Sequence, residues 1–270
     1  MIFKRNLYPI IIGGFYRSGT TLLRRILDSH SNIHCGPEVK FFKDLYGDYL
    51  KDDLKHARFF GTVRSLGLRD DELLDIFGKS FIQCHELAAR KAGKKRWADK
   101  TPENILYMDK WTSLLGNQFF FIHVVRHPLD ALASLIEIGF PKAIPAEYIE
   151  KVYLYKDYLE HGLRFSKTHP DISMVIRYED LVTEPKTALA GLLNKIGEIF
   201  EPSMIELFND RARQQGIEDP KTQKTTKIHT LSIGRWKRDL SKEQIRTAIT
   251  ELGDIAGYFG YQQDAFSQNQ

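Results

Sequence analysis

Four short apolar runs alternate along the chain with longer segments in which apolar residues recur every three or four positions. The runs are Ile10–Gly13, Arg96–Ala98, Phe119–Val125 and Ser173–Ile176. Short strands of this kind are typical of a parallel sheet that helices cover on both faces. The pattern therefore predicts an α/β fold, with a central parallel sheet between two helical layers.

Several polar and proline residues mark the starts of the predicted helices. Thr101 precedes Pro102, which places a capping residue before proline at the first helical position, and Pro128 and Pro185 suggest the same arrangement. Ser241–Gln244 has the serine and glutamine spacing of a capping box, which predicts the start of a C-terminal helix.

The remaining segments indicate one domain over residues 1–270, without repeats or a linker that would separate a second one. Periodic patterns predict three long helices, over Asp70–Ala92, Ala146–Thr168 and Pro202–Gln215. Residues 40–95 are charged and mostly helical. Residues 216–240 are rich in lysine, threonine and aspartate, which predicts a long loop.

Composition narrows the classes of function. The 270 residues are 42% hydrophobic, enough for a sizeable core, and 39 basic minus 35 acidic residues give a net charge of +4. That charge suits a small anionic ligand and is too weak to indicate nucleic acid. Cys35 and Cys84 provide neither a disulfide framework nor a metal site. The N-terminus resembles neither a signal peptide nor a membrane span, so we expect a cytoplasmic protein without membrane insertion.

The candidate chemistry begins where the first apolar run enters a glycine-rich turn. Gly14 starts the turn, and a helix follows from Thr20. Backbone N–H groups of Ser18, Gly19, Thr20 and Thr21, with the two threonine hydroxyls, predict a phosphate-type anion site at the helix N-terminus. A nucleotide-hydrolase loop would have lysine where this chain has Thr20. The missing lysine argues against chemistry at a β/γ-phosphate, and the cationic residue is Arg17 inside the loop.

Four motifs in order resemble the sulfotransferases that use 3′-phosphoadenosine 5′-phosphosulfate (PAPS). The first motif is the loop Arg17–Thr21 with Cys35–Glu38 shortly after it. The others are Val125–Pro128 continuing to Ser134, then Arg177–Leu181, and finally Gly234–Trp236. The resemblance spans most of the chain. It is greatest to the branch with the tyrosylprotein sulfotransferases and their soluble bacterial relatives, and it implies a P-loop-like fold.

The resemblance also implies how the donor is bound. It assigns the 5′-phosphosulfate to the loop Arg17–Thr21, and the 3′-phosphate to Arg126 with Ser134. Tyr178 and Arg235 are the further cofactor contacts that it implies, and residues 216–240 would cover the adenine. An arginine at the end of an apolar strand, where a hydrolase commonly has a magnesium-binding aspartate, favours a site without metal. Pairing of Arg126 with Asp130, or a core-filling role for Tyr178, is the structural alternative.

The same resemblance implies two catalytic residues besides Arg17. Glu38 matches the glutamate that acts as general base, which an acceptor hydroxyl needs before it can attack sulfur. Only one acidic residue stands here, after Pro37, where the family usually shows two. Lys100 matches the lysine near the sulfuryl group, and Arg17 and Lys100 would offset the developing negative charge.

The identity of the acceptor stays open at this point. A small molecule, a carbohydrate, a lipid or a tyrosyl peptide would each supply a hydroxyl, in a pocket roofed by residues 40–95. Two other functions also remain: a P-loop kinase or nucleoside triphosphatase, and a non-catalytic nucleotide-binding protein.

Overall fold

Five strands form one parallel sheet with helices on both faces. The computed structural model describes residues 7–49, 54–138, 144–208 and 227–261. The strands are β1 (Ile10–Gly13), β2 (Ile33–Cys35), β3 (Arg96–Lys100), β4 (Phe120–Val125) and β5 (Ser173–Arg177). Their order is β2-β3-β1-β4-β5, and each neighbouring pair is parallel. The predicted α/β class is confirmed.

The helices between and after these strands vary from one turn to almost six. They are α1 (Thr20–Asp28), α2 (Phe41–Tyr46), α3 (Leu54–Arg64), α4 (Asp70–Leu73), α5 (Lys79–Lys91), α6 (Met108–Leu115), α7 (Pro128–Ile138), α8 (Tyr148–Thr168), α9 (Tyr178–Thr183), α10 (Pro185–Ile196), α11 (Ser203–Glu206), α12 (Trp236–Asp239) and α13 (Lys242–Gly257). A π-helical turn, Leu74–Gly78, joins α4 to α5, and 3₁₀ turns cover Pro102–Tyr107 and Pro170–Ile172.

Alternate residues of the strands supply two separate hydrophobic cores. On β1, Ile11 belongs to the core that contains residues of α5, α6, α8 and α13. Its neighbours Ile10 and Ile12 belong to the core that contains residues of α1, α9, α10 and α11. Since successive strand side chains point to opposite faces, the sheet is buried from both sides and forms the middle of three layers.

The helix starts marked by proline and by the capping box are confirmed in three cases. Helix α7 begins at Pro128 and α10 begins at Pro185. Ser241 caps α13, because its side chain accepts from the Gln244 N–H while the Gln244 side chain accepts from the Ser241 N–H.

Other sequence expectations were wrong in part. Strand β2 was not predicted, because His34 lies between Ile33 and Cys35 and the three residues do not form an apolar run. The helix predicted from Pro202 is a single turn that ends at Glu206, because Leu207 and Phe208 leave the helical conformation, and residues 209–215 lie outside the described residues. Within the predicted loop, residues 216–226 also lie outside them, and the short helix α12 was not expected.

The sheet brings three chain segments to one edge. Strand β1 lies between β3 and β4, with Ile12 opposite both Lys100 and Ile122. Because the strands are parallel, the turn after Gly13, the end of β3 at Lys100 and the residue after β4, Arg126, all meet beyond the carboxyl ends. Ligands of open α/β sheets bind at such an edge.

Two histidines, the buried His123 and the partly buried His127, make the stability of this fold depend on pH. Burial lowers the pKa of His123 to about 3 and that of His127 to about 4. In the unfolded chain both rings take up a proton near pH 6.5, so acidification below that pH favours unfolding. We expect the free energy of unfolding to fall between pH 6.5 and 4 by roughly 1 kcal/mol per pH unit for each ring.

His123→Leu should remove the His123 share of this pH dependence. Urea unfolding at pH 7, 6 and 5 would measure it, with His229→Leu as control because His229 is exposed. An equal slope in wild type and His123→Leu would contradict a neutral, buried His123.

Candidate functional site

The turn after β1 is fixed by close backbone contacts. Gly14 has φ +153°, and a Cβ atom there would lie 2.2 Å from the Val124 carbonyl oxygen. Its N–H donates to the Pro102 carbonyl at 3.1 Å. Only glycine fits this position, because a side chain would collide with the backbone of β4. The loop therefore starts from one defined point at the edge of the sheet.

Arg17 occupies the left-handed region within this loop. Its φ is +67°, a conformation that costs a residue with a side chain energy and that is concentrated at functional sites. The strained backbone aims the Arg17 carbonyl at Arg126 Nη1, 2.9 Å away, and the Arg17 Nε atom at Ser134 Oγ, 3.1 Å away. Three residues predicted to bind the donor are thus joined to one another.

The helix that follows opens without a side-chain cap. Gly19 is the N-cap residue of α1, and no side chain caps it within the described residues. Its φ is +93°, and a Cβ atom would lie 2.5 Å from the Tyr178 ring. The N–H groups of the first turn, from Thr20 onward, consequently lack the partner that a serine or aspartate cap would supply. Such a helix start is suited to an anion.

Arg126 directly follows β4 and contacts this loop through the Arg17 carbonyl. The guanidinium stacks on the Tyr178 ring with its carbon 4.5 Å from the centroid, and Nη2 donates to the Ser232 carbonyl at 2.6 Å. Burial lowers the pKa of Arg126. In the part of the chain that the structure describes, its Nε atom has no hydrogen-bond partner. A buried cation with a spare donor favours an anionic ligand.

The alternative pairing of Arg126 with Asp130 is not what the hydrogen bonds show. Asp130 accepts instead from the backbone N–H groups of Gly234, at 2.8 Å, and Trp236, at 3.1 Å. Burial is the largest influence on this carboxyl group and raises its pKa. The hydrogen bonds of Asp130 therefore anchor the start of α12, and its influence on Arg126 is through charge without a hydrogen bond.

Glu38 and Lys100 meet on the other side of the helix start. The Lys100 Nζ atom lies 2.6 Å from Glu38 Oε2 and 3.3 Å from Thr21 Oγ1. Lys100 is 2% exposed, whereas the Glu38 side chain is 22% exposed. One buried ammonium group thus touches both the predicted base and the first turn of α1.

A second carboxylate next to this pair was not found by sequence reasoning. Glu103 is buried and accepts a short hydrogen bond from the Tyr16 hydroxyl. The Lys40 Nζ atom lies 3.7 Å from a carboxylate oxygen of Glu38 and 3.7 Å from one of Glu103, and Lys43 lies 3.4 Å from Glu103. The only sequence signals were that Lys40 follows Glu38 by two residues and that Glu103 follows the Lys100 motif.

Arg235, a further predicted donor contact, pairs with two carboxylates in this structure. Its guanidinium binds Asp239 at 2.6 Å and Glu137 at 2.5 Å, and these carboxylates lie on α12 and α7. In the same segment, the Ser232 carbonyl and the Gly234 N–H make the contacts toward Arg126 and Asp130. The donor contact assigned to Arg235 stays a prediction.

The described residues include neither a metal-binding cluster nor a membrane-spanning helix. They contain no group of three or more histidine, cysteine, aspartate or glutamate side chains arranged to hold a metal ion. None of their helices combines the length and the apolar character needed to cross a membrane.

A family model and two similar proteins agree on the family of this chain. A family model described as "Sulfotransferase family" matches residues 9–202. A putative protein-tyrosine sulfotransferase of Caenorhabditis briggsae is 24% identical over 258 residues, covering 92% of this chain and 86% of that protein. The protein-tyrosine sulfotransferase of Drosophila melanogaster is 20% identical over 274 residues, covering 96% of this chain and 52% of that protein. This chain thus spans about half the length of the Drosophila relative.

Solved structures share the fold. The sulfotransferase domain of a Synechococcus olefin synthase has a TM-score of 0.63 at 21% identity, covering 90% of this chain and 93% of that one. A mouse sulfotransferase complexed with PAP has a TM-score of 0.54 at 13% identity, covering 98% of this chain and 90% of that one. At these identities the likeness establishes the fold.

Gly19→Ala should weaken anion binding while leaving the overall fold intact. The new Cβ atom would displace the Tyr178 ring and, with it, the surface on which Arg126 stacks. We expect affinity for 3′-phosphoadenosine 5′-phosphate to fall by about tenfold or more, which corresponds to ~1.4 kcal/mol. Isothermal titration calorimetry would measure it.

Gly93→Ala is the matched control. Gly93 also has a positive φ, +71°, but a Cβ atom there meets nothing within 4 Å. It should cost stability, by about 1–2 kcal/mol, and leave affinity unchanged. If both variants bound as wild type does, the Gly19–Tyr178 contact would have no part in the site.

Proposed function

The chain belongs to the sulfotransferase family, and on that premise we propose that it transfers a sulfuryl group from PAPS to an acceptor hydroxyl. One observation carries the proposal. Around the uncapped start of α1, buried cationic groups stand on two sides, with Arg126 on one and Lys100 on the other, and a carboxylate, Glu38, touches Lys100. This combination of charges suits a donor with an anionic group at each end, the 5′-phosphosulfate and the 3′-phosphate, and an acceptor hydroxyl that must lose a proton.

The loop and the strand ends have the groups needed to hold the donor. The first-turn N–H groups of α1 and the hydroxyls of Thr20 and Thr21 suit the 5′-phosphosulfate oxygens. Arg126 and Ser134 suit the terminal 3′-phosphate, since a planar guanidinium with a hydroxyl matches a phosphate monoester. The mouse sulfotransferase that shares the fold was solved with PAP, which supports a donor of this class. When bound, PAPS supplies the activated sulfuryl group.

Glu38 is the proposed general base. Its carboxylate is part-exposed, so an acceptor hydroxyl can reach it, and taking the hydroxyl proton makes the oxygen a competent nucleophile. Lys100 holds Glu38 beside Thr21, at the anion site. Arg17 and Lys100 are the proposed groups that stabilise the negative charge of the transition state. Fixed cations in a buried site do so without reorganising at the moment of reaction.

The acceptor is proposed to approach from the side of α2. Lys100 is buried, whereas the Lys40 side chain is 34% exposed and its Nζ atom lies 3.7 Å from a Glu38 carboxylate oxygen, so Glu38 is accessible from the side of Lys40. Two relatives are named as protein-tyrosine sulfotransferases, which makes a tyrosyl peptide one proposed acceptor. Small-molecule, carbohydrate and lipid hydroxyls offer the same reacting group.

Calorimetric titration tests the donor. We expect micromolar binding of 3′-phosphoadenosine 5′-phosphate in EDTA, with a large loss of affinity for the analogue that lacks the 3′-phosphate, because Arg126 and Ser134 would lose their partner. ATP with Mg²⁺ is the comparison ligand. A preference for Mg²⁺-ATP would replace the sulfotransferase proposal by a kinase, and donor binding without transfer to any hydroxyl would indicate a non-catalytic protein.

Glu38→Gln tests the base. The amide cannot take the acceptor proton, so we expect kcat to fall by about 10²-fold or more. The dissociation constant for 3′-phosphoadenosine 5′-phosphate should change little. Transfer of ³⁵S from labelled PAPS to 2-naphthol and to an acidic tyrosyl peptide would measure turnover, and Glu86→Gln, on α5, is the control. A collapse of donor affinity with high residual turnover would be the opposite of what we expect.

A further inference from the structure

The segment that carries the proposed base is held by side chains from two other elements. We call residues 36–40 the base loop; it connects β2 to α2. At its start, Arg24 Nη1 of α1 donates to the carbonyls of Cys35 at 3.0 Å and Gly36 at 3.4 Å. After Glu38, the carbonyl of Val39 accepts a hydrogen bond at 2.8 Å from the hydroxyl of Thr101. The loop is therefore fixed on both sides of the carboxylate.

Thr101 has a different role from the one that its sequence position predicts. It is the N-cap residue of the 3₁₀ turn Pro102–Tyr107, yet no side-chain capping bond is present there in the described structure. Its hydroxyl instead reaches Val39, 62 residues earlier in the chain. A side-chain cap contributes about 1 kcal/mol, and here that local contribution is replaced by one long-range bond. Thr101 is 3% exposed, so water does not compete for its hydroxyl.

The neighbours of Thr101 fasten the phosphate-binding loop. The Pro102 carbonyl accepts from the Gly14 N–H at 3.1 Å, and the Asn104 side-chain amide donates to the Ile12 carbonyl at 3.1 Å. Immediately before Thr101, Lys100 binds Glu38. Residues 100–104 thus contact both the base loop and the phosphate-binding loop, and fix the position of one relative to the other.

We propose that Thr101 is a positioning residue whose hydroxyl, through the Val39 carbonyl, sets where the Glu38 carboxylate stands relative to the donor site. This inference rests on the proposed role of Glu38. Transfer between bound groups is sensitive to displacements of an ångström or less, which can cost up to about 10²-fold in rate. Directly after the carboxylate, the Val39 carbonyl accepts from the Thr101 hydroxyl and from the Phe41 N–H, each at 2.8 Å. Of these two bonds, the one from Thr101 joins the base loop to a distant part of the chain.

Thr101→Val removes this bond with little change in shape. Valine is nearly isosteric with threonine and tolerates the extended backbone at this position, φ −132° and ψ +124°. Thr101→Ser restores the hydroxyl. Thr112→Val is the matched control, because the Thr112 hydroxyl also donates to a carbonyl at 2.8 Å, that of Met108, inside α6 and away from the site.

The first measurement is amide hydrogen exchange at Phe41 and Asp44, which does not depend on activity. Their N–H groups donate to the carbonyls of Val39 and Lys40 at 2.8 and 2.9 Å, so they report on the end of the base loop. We expect faster exchange in Thr101→Val, wild-type exchange in Thr101→Ser and no change in Thr112→Val. Unchanged exchange in Thr101→Val would overturn the inference, whatever the enzyme does.

The second measurement is ³⁵S transfer from PAPS to 2-naphthol and to an acidic tyrosyl peptide. Thr101→Val should lower kcat by about tenfold and leave the KM for PAPS within about twofold, since the hydroxyl acts on the base rather than on the donor. Thr101→Ser should recover most of the turnover. Wild-type kcat in Thr101→Val would contradict a positioning role.

A double-mutant cycle with Glu38→Gln identifies the group through which Thr101 acts. If it acts through Glu38, Thr101→Val should cause no further loss of turnover in the Glu38→Gln background. An equal loss in both backgrounds would mean that Thr101 acts elsewhere, and would overturn the proposal. If wild type itself transfers no sulfuryl group, the proposed function fails and the positioning role fails with it, whereas the exchange result still shows whether Thr101 holds the base loop.

Discussion

The contact on which the site depends is the passage of the chain at Gly14 over the backbone of β4. A Cβ atom at Gly14 would lie 2.2 Å from the Val124 carbonyl, so the loop has essentially one route out of the sheet. That route places the start of α1 between the ends of β3 and β4. Lys100 and Arg126, which end or follow those strands, then stand on the two sides of the helix start. Parallel pairing and one close backbone approach therefore set the positions of Lys100 and Arg126 relative to the start of α1.

The electrostatics of the site follow from how deeply those groups are buried. Lys100 and Arg126 are almost inaccessible to water, where an unpaired positive charge is costly. Lys100 is matched by Glu38, whereas Arg126 donates to two backbone carbonyls and stacks on an aromatic ring. The site thus keeps positive charge beside an uncapped helix N-terminus. Such an arrangement stabilises a bound anion more than it stabilises the protein alone.

The fold was predictable wherever local signals were strong. In the buried strand Phe120–Val125, five of six residues are apolar, and helices beginning at Pro128 and Pro185 start with a residue that fixes φ. Strand β2 escaped prediction because three residues with a histidine in the middle carry too little hydrophobic signal. It is a strand because Ile33 to Cys35 pair with β3, a contact between residues more than 60 positions apart.

For the site, the sequence by itself determined which residues are candidates: the glycine-rich loop with Arg17, the strand-end Lys100 and Arg126, and Glu38 in its motif. Only the tertiary structure decided what each of them touches. The sequence position of Thr101 predicts a helix cap, but its hydroxyl hydrogen-bonds Val39. Arg235 pairs with Glu137 and Asp239, which no local pattern indicated, and its predicted donor contact stays a prediction. The physical reason is that a side-chain hydroxyl or guanidinium has several competing partners of similar strength. Which of them it meets is set by how distant segments pack, and local sequence does not contain that information.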